Sequence, residues 1–329
     1  MDAALLFRLI PTAEQLSQLD TVKINFAVGG STIINIAIGI IMFGVALGIK
    51  AEHFKNVFAK PKSIIVGLVS QYVMLPAVTF LLILLMKPSP AVAMGMILVA
   101  SCPGGNISNF MSSLAKANVA LSVSLTAIST VICLIMTPVN YTFWGHLYAS
   151  TNSLNVELSI NPIDMFKTVV IILGIPITIG MFVNHKFPVF TEKIKVPIKY
   201  ASIFVFVGVV IGAFYSNYDH FIKYIGLIFV IVLIHNASAL FIGYLFPKVM
   251  RLTQVDCRTI SIETGIQNSG LGLALLFNPK IFDPSLQLGG LTFITAWWGI
   301  WHIISGFVIA YHWNRRALRV VQKQNSSTT

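Results

Sequence analysis

Long apolar stretches recur along nearly the whole chain, at about 27–49, 63–86, 90–115, 119–147, 163–184, 200–216, 221–246, 257–277 and 289–311. A segment inside a bilayer must satisfy every backbone N–H and C=O within the protein, which leaves helices or a closed barrel. Stretches of about 20 apolar residues match a helix crossing a hydrocarbon core of ~30 Å. Only 10% of the 329 residues are charged and 56% are hydrophobic, whereas a soluble domain carries about 25% charged residues. The pattern predicts an all-α polytopic membrane protein with nine spans. One membrane domain occupies 27–312, between an extracytoplasmic lead-in at 1–26 and a basic, then polar, cytoplasmic tail at 313–329.

The net charge of +11 suggests an acidic partner such as nucleic acid until its distribution is followed. With the N-terminus outside, five cytoplasmic stretches collect 16 of the 22 Lys and Arg: Lys50 to Lys62, Lys116, Lys186 to Lys199, Lys248 to Arg258, and Arg315 to Lys323. Arg8, Lys23, Lys87, Lys167, Lys223 and Lys280 fall outside. This is the positive-inside bias over short loops. It predicts an odd number of spans in the cell (inner) membrane, N-terminus out and C-terminus in, with lipid rather than nucleic acid as surroundings. Ala3–Phe7 is too short for the apolar core of a cleavable signal and Pro11 interrupts the residues after it, so 1–24 reads as an interfacial segment. The cysteines, Cys102, Cys133 and Cys257, lack metal-ligand spacing and read as packing residues. Gln324–Thr329 is polar and is expected to be unstructured.

Within this apolar frame Glu263 is the one acidic residue expected deep inside a span. A lone carboxylate in hydrocarbon costs several kcal/mol and needs a partner. It lies in Ser261-Ile262-Glu263-Thr264-Gly265-Ile266-Gln267-Asn268-Ser269-Gly270, where Gly265 and Gly270 weaken the helix. A second span is interrupted at Ser101-Cys102-Pro103-Gly104-Gly105-Asn106: Pro103 lacks a donor and the glycines do not sustain a helix. Gly-broken polar spans in both halves of a chain point to an inverted-repeat transporter with a midplane site. Four spans before residue 160 and five after it fit a five-plus-five repeat lacking its first helix. Freed carbonyls at such breaks coordinate cations, and the N-termini of the second half-helices attract anions.

The residues around the breaks are rich in oxygen donors. Ser122 and Thr126 share a helix face and, with Ser108 and Asn109, read as cation ligands. Ser124, Ser129 and Thr130 read as packing contacts between helices. Gln71 is a mid-span amide equally suited to ligation or to a carbonyl bond. His235 and His302 read as structural hydrogen-bonding groups, and Trp297, Trp298 and Trp301 as packing. Zinc, nucleophile-elbow and phosphate-loop motifs are absent from the sequence, and no second buried acid is expected to make a carboxylate dyad. An enzyme is therefore not expected.

Cys102-Pro103-Gly104-Gly105, Ser108-Asn109, the helix from Leu121 through Ser122 and Thr126 to Thr137-Pro138, and Glu263-x-Gly265-x-Gln267-Asn268-Ser269-Gly270-Leu271 resemble the bile acid:sodium symporter family. Ile41–Gly44, Gln71 to Pro76, His235-Asn236 and Trp301-His302-x-x-Ser305-Gly306 fit it in order, so the resemblance runs from about residue 38 to 312. It implies a core domain with two crossing discontinuous helices beside a panel domain, in a nine-helix form. It further implies two Na⁺ ions. The first would be held by Ser108, Asn109, Ser122, Thr126 and Glu263. The second would be held by Gln71 and Gln267, with backbone carbonyls of Glu263, Thr264 and Ile266. Asn268, Asn106 and His302 would face the substrate, a bile acid or a smaller organic acid such as pantoate or pyruvate. Bacterial relatives often carry Thr at Asn106 and Asn at Ile303, so pocket polarity here departs from theirs. The expectation is a monomeric sodium-coupled organic-anion symporter working by alternating access. The alternatives are a proton-coupled exchanger on the same fold and a membrane receptor that binds an anion without moving it.

Overall fold

The computed structural model of the chain describes residues 11–20, 22, 39–49, 61–151, 162–216, 218–278, 281–282 and 288–326. The elements are all helical: α1 (Ala13–Asp20), α2 (39–46), α3 (Pro61–Met86), α4 (Pro90–Ser101), α5 (Ile107–Leu114) and α6 (Val119–Thr151). They continue with α7 (Pro162–Val169, extended through Ile175–Lys186), α8 (Pro188–Ser216), α9 (Tyr218–Val249), α10 (Gln254–Gly265), α11 (Ser269–Leu276) and α12 (Gly289–Ser326). Among the described residues five helices are long and apolar enough to cross a membrane: α3, α6, α9, most of α7 and the Gly289–Arg315 part of α12.

The expected spans at 90–115 and 257–277 are each two half-helices. Both pairs have a first half of 12 residues and a second of 8. The expected span at 200–216 lies within α8, which starts at Pro188 and carries Pro197 inside it. Most of the expected span at 27–49, and most of the lead-in at 1–26, lie outside the described residues. The boundary expected at 312 falls inside α12, which stays helical to Ser326, so the first residues of the supposedly unstructured 324–329 segment continue a helix.

Two prolines leave a local imprint. Each of α3 and α7 contains a π turn, at Ser70–Met74 and Val170–Gly174, immediately ahead of Pro76 and Pro176. Proline has no N–H to close the regular bond four residues back, and a widened turn accommodates the loss. In α3 the carbonyl left without that bond is Tyr72 O, which accepts Asn140 Nδ2 at 3.0 Å.

Close helix contacts run through small residues, as expected where lipid gives no hydrophobic drive between helices. A Cβ at Gly243 of α9 would lie 2.8 Å from Thr264 Cβ and 2.9 Å from Ser261 Cα of α10, and Ser261 Oγ donates to Leu240 O at 2.6 Å. Gly95 of α4 meets Leu291 Cα of α12 in the same way, at 3.0 Å. The buried cluster around Trp298, Met96, Ile97 and Leu275 fills the space between α4, α11 and α12. On α7 and α8, Phe182, Phe204 and Tyr215 are exposed, as lipid-facing side chains are.

α1 begins with a reciprocal cap: Thr12 Oγ1 accepts Gln15 N at 3.3 Å and Thr12 N donates to Gln15 Oε1 at 3.0 Å. Its Leu16 and Leu19 are buried, and Asp20 accepts Ser89 Oγ at 2.7 Å beside the start of α4. Burial pushes the Asp20 carboxyl above its ordinary range, against the pull of that bond.

Gly243→Val is expected to lower stability by about 1–3 kcal/mol through overpacking against α10, measured as a fall in melting temperature in detergent. Gly208→Val, where an added Cβ meets nothing within 4 Å, is the matched control and is expected to leave it within ~0.5 kcal/mol.

Candidate functional site

The two helix breaks meet. Gly105 N donates to Ile266 O at 2.7 Å and Asn268 N donates to Pro103 O at 2.8 Å, so Gly104 and Gln267 form a short antiparallel bridge. Glycine is required at this contact: a Cβ on Gly104 would fall on the Glu263 carboxylate, and one on Gly105 would lie 3.1 Å from Gln267 O. Side chains bind the carbonyls around the breaks, three from other helices and Gln267 from the second break itself. Thr137 Oγ1 donates to Ser101 O (2.7 Å), Gln71 Nε2 to Cys102 O (3.0 Å), Gln267 Nε2 to Thr264 O (2.6 Å) and Asn236 Nδ2 to Gly265 O (2.7 Å). Asn236 Oδ1 in turn accepts Ser305 Oγ at 2.6 Å.

Glu263, 3% exposed, points from the last turn of α10 at this crossing. Its Oε2 accepts Ser108 Oγ at 2.5 Å and Ser122 Oγ at 3.2 Å, and its Oε1 accepts Thr126 Oγ1 at 2.7 Å. Thr126 Oγ1 also lies 3.2 Å from Asn109 Oδ1, 3.0 Å from Ser122 O and 3.4 Å from Ser108 Oγ. The five residues of the first expected group are therefore one cluster, contributed by α5, α6 and α10. Each hydroxyl has one hydrogen, and Thr126 has four oxygens within reach of its own. Ser112 Oγ adds a further hydroxyl, donating to Ser122 Oγ at 3.2 Å, and among the described residues Glu263 has no ion-pair partner. No group of three or more His, Cys, Asp and Glu comes together among those residues. The donors are hydroxyl, amide and carbonyl oxygens around one carboxylate, a set that suits a hard cation.

The second expected group also assembles. The π turn of α3 carries Gln71, whose Nε2 donates to Gln267 Oε1 at 2.7 Å; both residues are buried. Gln71 Oε1 is buried with no hydrogen-bond partner. Thr264 is buried with its hydroxyl 3.0 Å from Ser70 Oγ, and the Ile266 carbonyl already receives Gly105 N–H on one lone pair.

The substrate-facing candidates are less tightly grouped. Asn106 and Asn268 are the N-cap residues of α5 and α11, exposed and half-buried respectively, and Asn268 Oδ1 accepts Leu271 N at 3.1 Å. His302 is buried in α12, with Nδ1 lacking a hydrogen-bond partner, and no hydrogen bond joins it to either asparagine. The neighbouring turns of α12 do touch the crossing: Gly299 packs on Ser269 and Gly306 on Ile266.

His235 is structural, with Nε2 2.7 Å from Thr79 Oγ1 and its ring edge-on to Trp298 at 4.7 Å. Ser129 and Thr130 bond to the Thr126 carbonyl of their own helix. The sequence singles out Asn236 only within the His235-Asn236 pair, with no role given, and Asp256 not at all. Asn236 binds the broken end of α10. Asp256, 6% exposed, is a second buried acid, contrary to the expectation that there is none; it accepts Ser63 Oγ and Asn118 Nδ2. Seven residues before Glu263 on α10, it stands about 10.5 Å away along the axis, too far for a dyad.

A model of the Sodium Bile acid symporter family matches residues 35–243. The chain belongs to that family. The chain is 33% identical over 300 residues to the uncharacterized sodium-dependent transporter YocS of Bacillus subtilis, covering 90% of this chain and 87% of the relative. It is 31% identical to the probable chloroplastic sodium/metabolite cotransporter BASS1 of Arabidopsis thaliana, over 86% of this chain and 67% of the relative. It is 29% identical to the human ileal sodium/bile acid cotransporter, over 73% and 68%. The family is one of membrane transporters, not enzymes, and these three relatives carry sodium in their names.

Asn236→Leu is expected to leave the Gly265 carbonyl unsatisfied, at about 1–3 kcal/mol, while Ser305 Oγ keeps its bond to His302 O. A melting temperature lowered equally in Na⁺ and in K⁺ would show that this residue supports the break rather than an ion.

Proposed function

We propose that this chain is a sodium-coupled symporter of a small organic anion, with two Na⁺ ions bound at the helix crossing. The observation that carries this reading is the buried Glu263 carboxylate, ringed by hydroxyl and amide oxygens and without an opposite charge paired to it among the described residues. A cation accepts electron density from all of them at once. Ser108, Asn109, Ser122, Thr126 and Glu263 would hold the first ion. Gln71, Gln267 and carbonyls of Glu263, Thr264 and Ile266 would hold the second, where the unpartnered Gln71 Oε1 gives a ready ligand. Sodium dependence in the names of several relatives supports the ion; bile acid in the name of the human relative supports an amphipathic or smaller organic anion as cargo.

Asn106 and Asn268 stand at the N-termini of the two second half-helices, where the partial positive charge of the helix favours a carboxylate or sulfonate. With His302 they would face the cargo. The matched 12- and 8-residue halves, crossing antiparallel and each followed by a long helix, support an inverted repeat. On this reading nine spans run N-terminus out to C-terminus in, as a monomer in the cell membrane, and a core built on α4, α5, α10 and α11 moves against a panel to alternate access.

Coupling then has a direct physical basis. Na⁺ offsets the charge of Glu263 and orders both breaks, which presents the half-helix N-termini to the anion; ion and anion thereby raise each other's affinity. Each net positive charge moving inward down 100 mV adds about 2.3 kcal/mol to the driving force.

The test is melting temperature in Na⁺ against K⁺ at equal ionic strength. Wild type is expected to gain about 2.7 kcal/mol per bound ion when Na⁺ reaches a hundred times that ion's Kd, and Glu263→Ala to lose at least the first ion's share. In proteoliposomes, Glu263→Ala and Gln71→Ala are each expected to abolish Na⁺-dependent uptake of labelled bile salts and small oxo- or hydroxy-acids. Equal stability in both salts, or full uptake by either variant, would overturn the two-ion assignment. Stabilisation that tracks pH instead of Na⁺ would point to proton coupling, and binding without counterflow to a receptor.

A further inference from the structure

Asp256 is buried, carries no counter-charge among the described residues and touches none of the groups around Glu263. Its Oδ2 accepts Ser63 Oγ of α3 at 3.0 Å, and its Oδ1 holds Asn118. Asn118 Nδ2 donates to Asp256 Oδ1 at 2.7 Å, Asn118 N donates to Thr259 Oγ1 at 2.8 Å, and Asn118 Oδ1 accepts Leu121 N at 3.1 Å. One residue thus caps the first turn of α6 and ties that turn to α10. Ser122 and Thr126 come after Asn118 at four-residue intervals, and Glu263 comes two turns after Asp256, so each set lies along one helix face. The two faces meet twice: at Asn118 with Asp256 and Thr259, and at Ser122 and Thr126 with Glu263.

We infer that Asp256 is a positioning residue for the cation site: by gripping Asn118 it sets the axial register of α6 on α10, and so the distances from the Ser122 and Thr126 hydroxyls to the Glu263 carboxylate. This rests on the reading of the Glu263 cluster as a Na⁺ site. A charge-assisted bond is used here because it is shorter and stronger than a neutral one. It sits at the end of the polar face, where a small tilt of α6 becomes a shift of both hydroxyls. Groups that orient ligands without touching the ion commonly change affinity by 10–100-fold when removed.

The experiment measures two quantities on the full-length protein in detergent. The first is the Na⁺ concentration giving half-maximal thermal stabilisation. The second is hydrogen exchange of the amides at 119–126 in K⁺ alone. Asp256→Ala is expected to raise the half-point by about tenfold and to speed exchange at 119–126. Asn118→Asp, which sets two carboxylates against each other, is expected to do the same. Adding Asp256→Asn to Asn118→Asp restores the bond and the cap with the charge moved across, and is expected to return both readouts to within about threefold of wild type. If Asp256→Ala does not fold, the Asn118→Asp variant and its rescue carry the comparison. Unchanged exchange, or a half-point within twofold of wild type, would overturn the register lock. A double variant as weak as the single would also overturn it, and would give the carboxylate at 256 itself a role toward the ion. Wild type indifferent to Na⁺ would sink the cation site, while the exchange data would still decide the lock.

Discussion

Backbone polar groups at membrane depth have no water to bond, and this protein breaks two helices there. Everything around Glu263 depends on how the freed groups are satisfied. Two N–H groups go across the crossing, from Gly105 to Ile266 and from Asn268 to Pro103. Carbonyls at the ends of the first half-helices go to side chains: Ser101 O to Thr137, Cys102 O to Gln71, Gly265 O to Asn236. Unsatisfied groups in hydrocarbon cost several kcal/mol each, so each of these bonds is as much a condition of folding as of function.

The same arrangement explains why a carboxylate can be buried here. Glu263 is brought against α5 and α6, whose hydroxyls solvate it, and against a glycine that leaves room for it. Solvation by three hydroxyls offsets part of the desolvation cost but supplies no opposite charge. The site therefore combines a shell of hydroxyls with no opposite charge among the described residues.

Much of the site was legible in the sequence, because the residues that break helices are also the residues that mark function. Pro103, Gly104 and Gly105 foretold one interruption and Gly265 to Gly270 the other. Hydroxyls at helical spacing beside the lone mid-span acid foretold the Glu263 cluster. Other features left no local trace. Asp256 lies among Gln254, Arg258 and the charged loop before them, so by composition it belongs to the surface; only the tertiary placement of Ser63 and Asn118 buries it. Asn236 was visible as a mid-span amide, but its target is a carbonyl 29 residues away. The π turns beside Pro76 and Pro176 were not read from the sequence, since a proline can equally kink a helix.

The π turn in α3 has a consequence for how this helix can change over time. A π turn is one residue more than a regular helix needs, and each residue rotates a helix by about 100°. The extra residue brings Gln71 round to Gln267 while the turns before and after it keep their own partners, Ser63 on Asp256 and Thr79 on His235. Losing a single residue between 70 and 74 would make α3 a more regular helix and a worse component, because either Gln71 or one of its flanking contacts would face the wrong way. The length of α3, not only its composition, is thus part of the site.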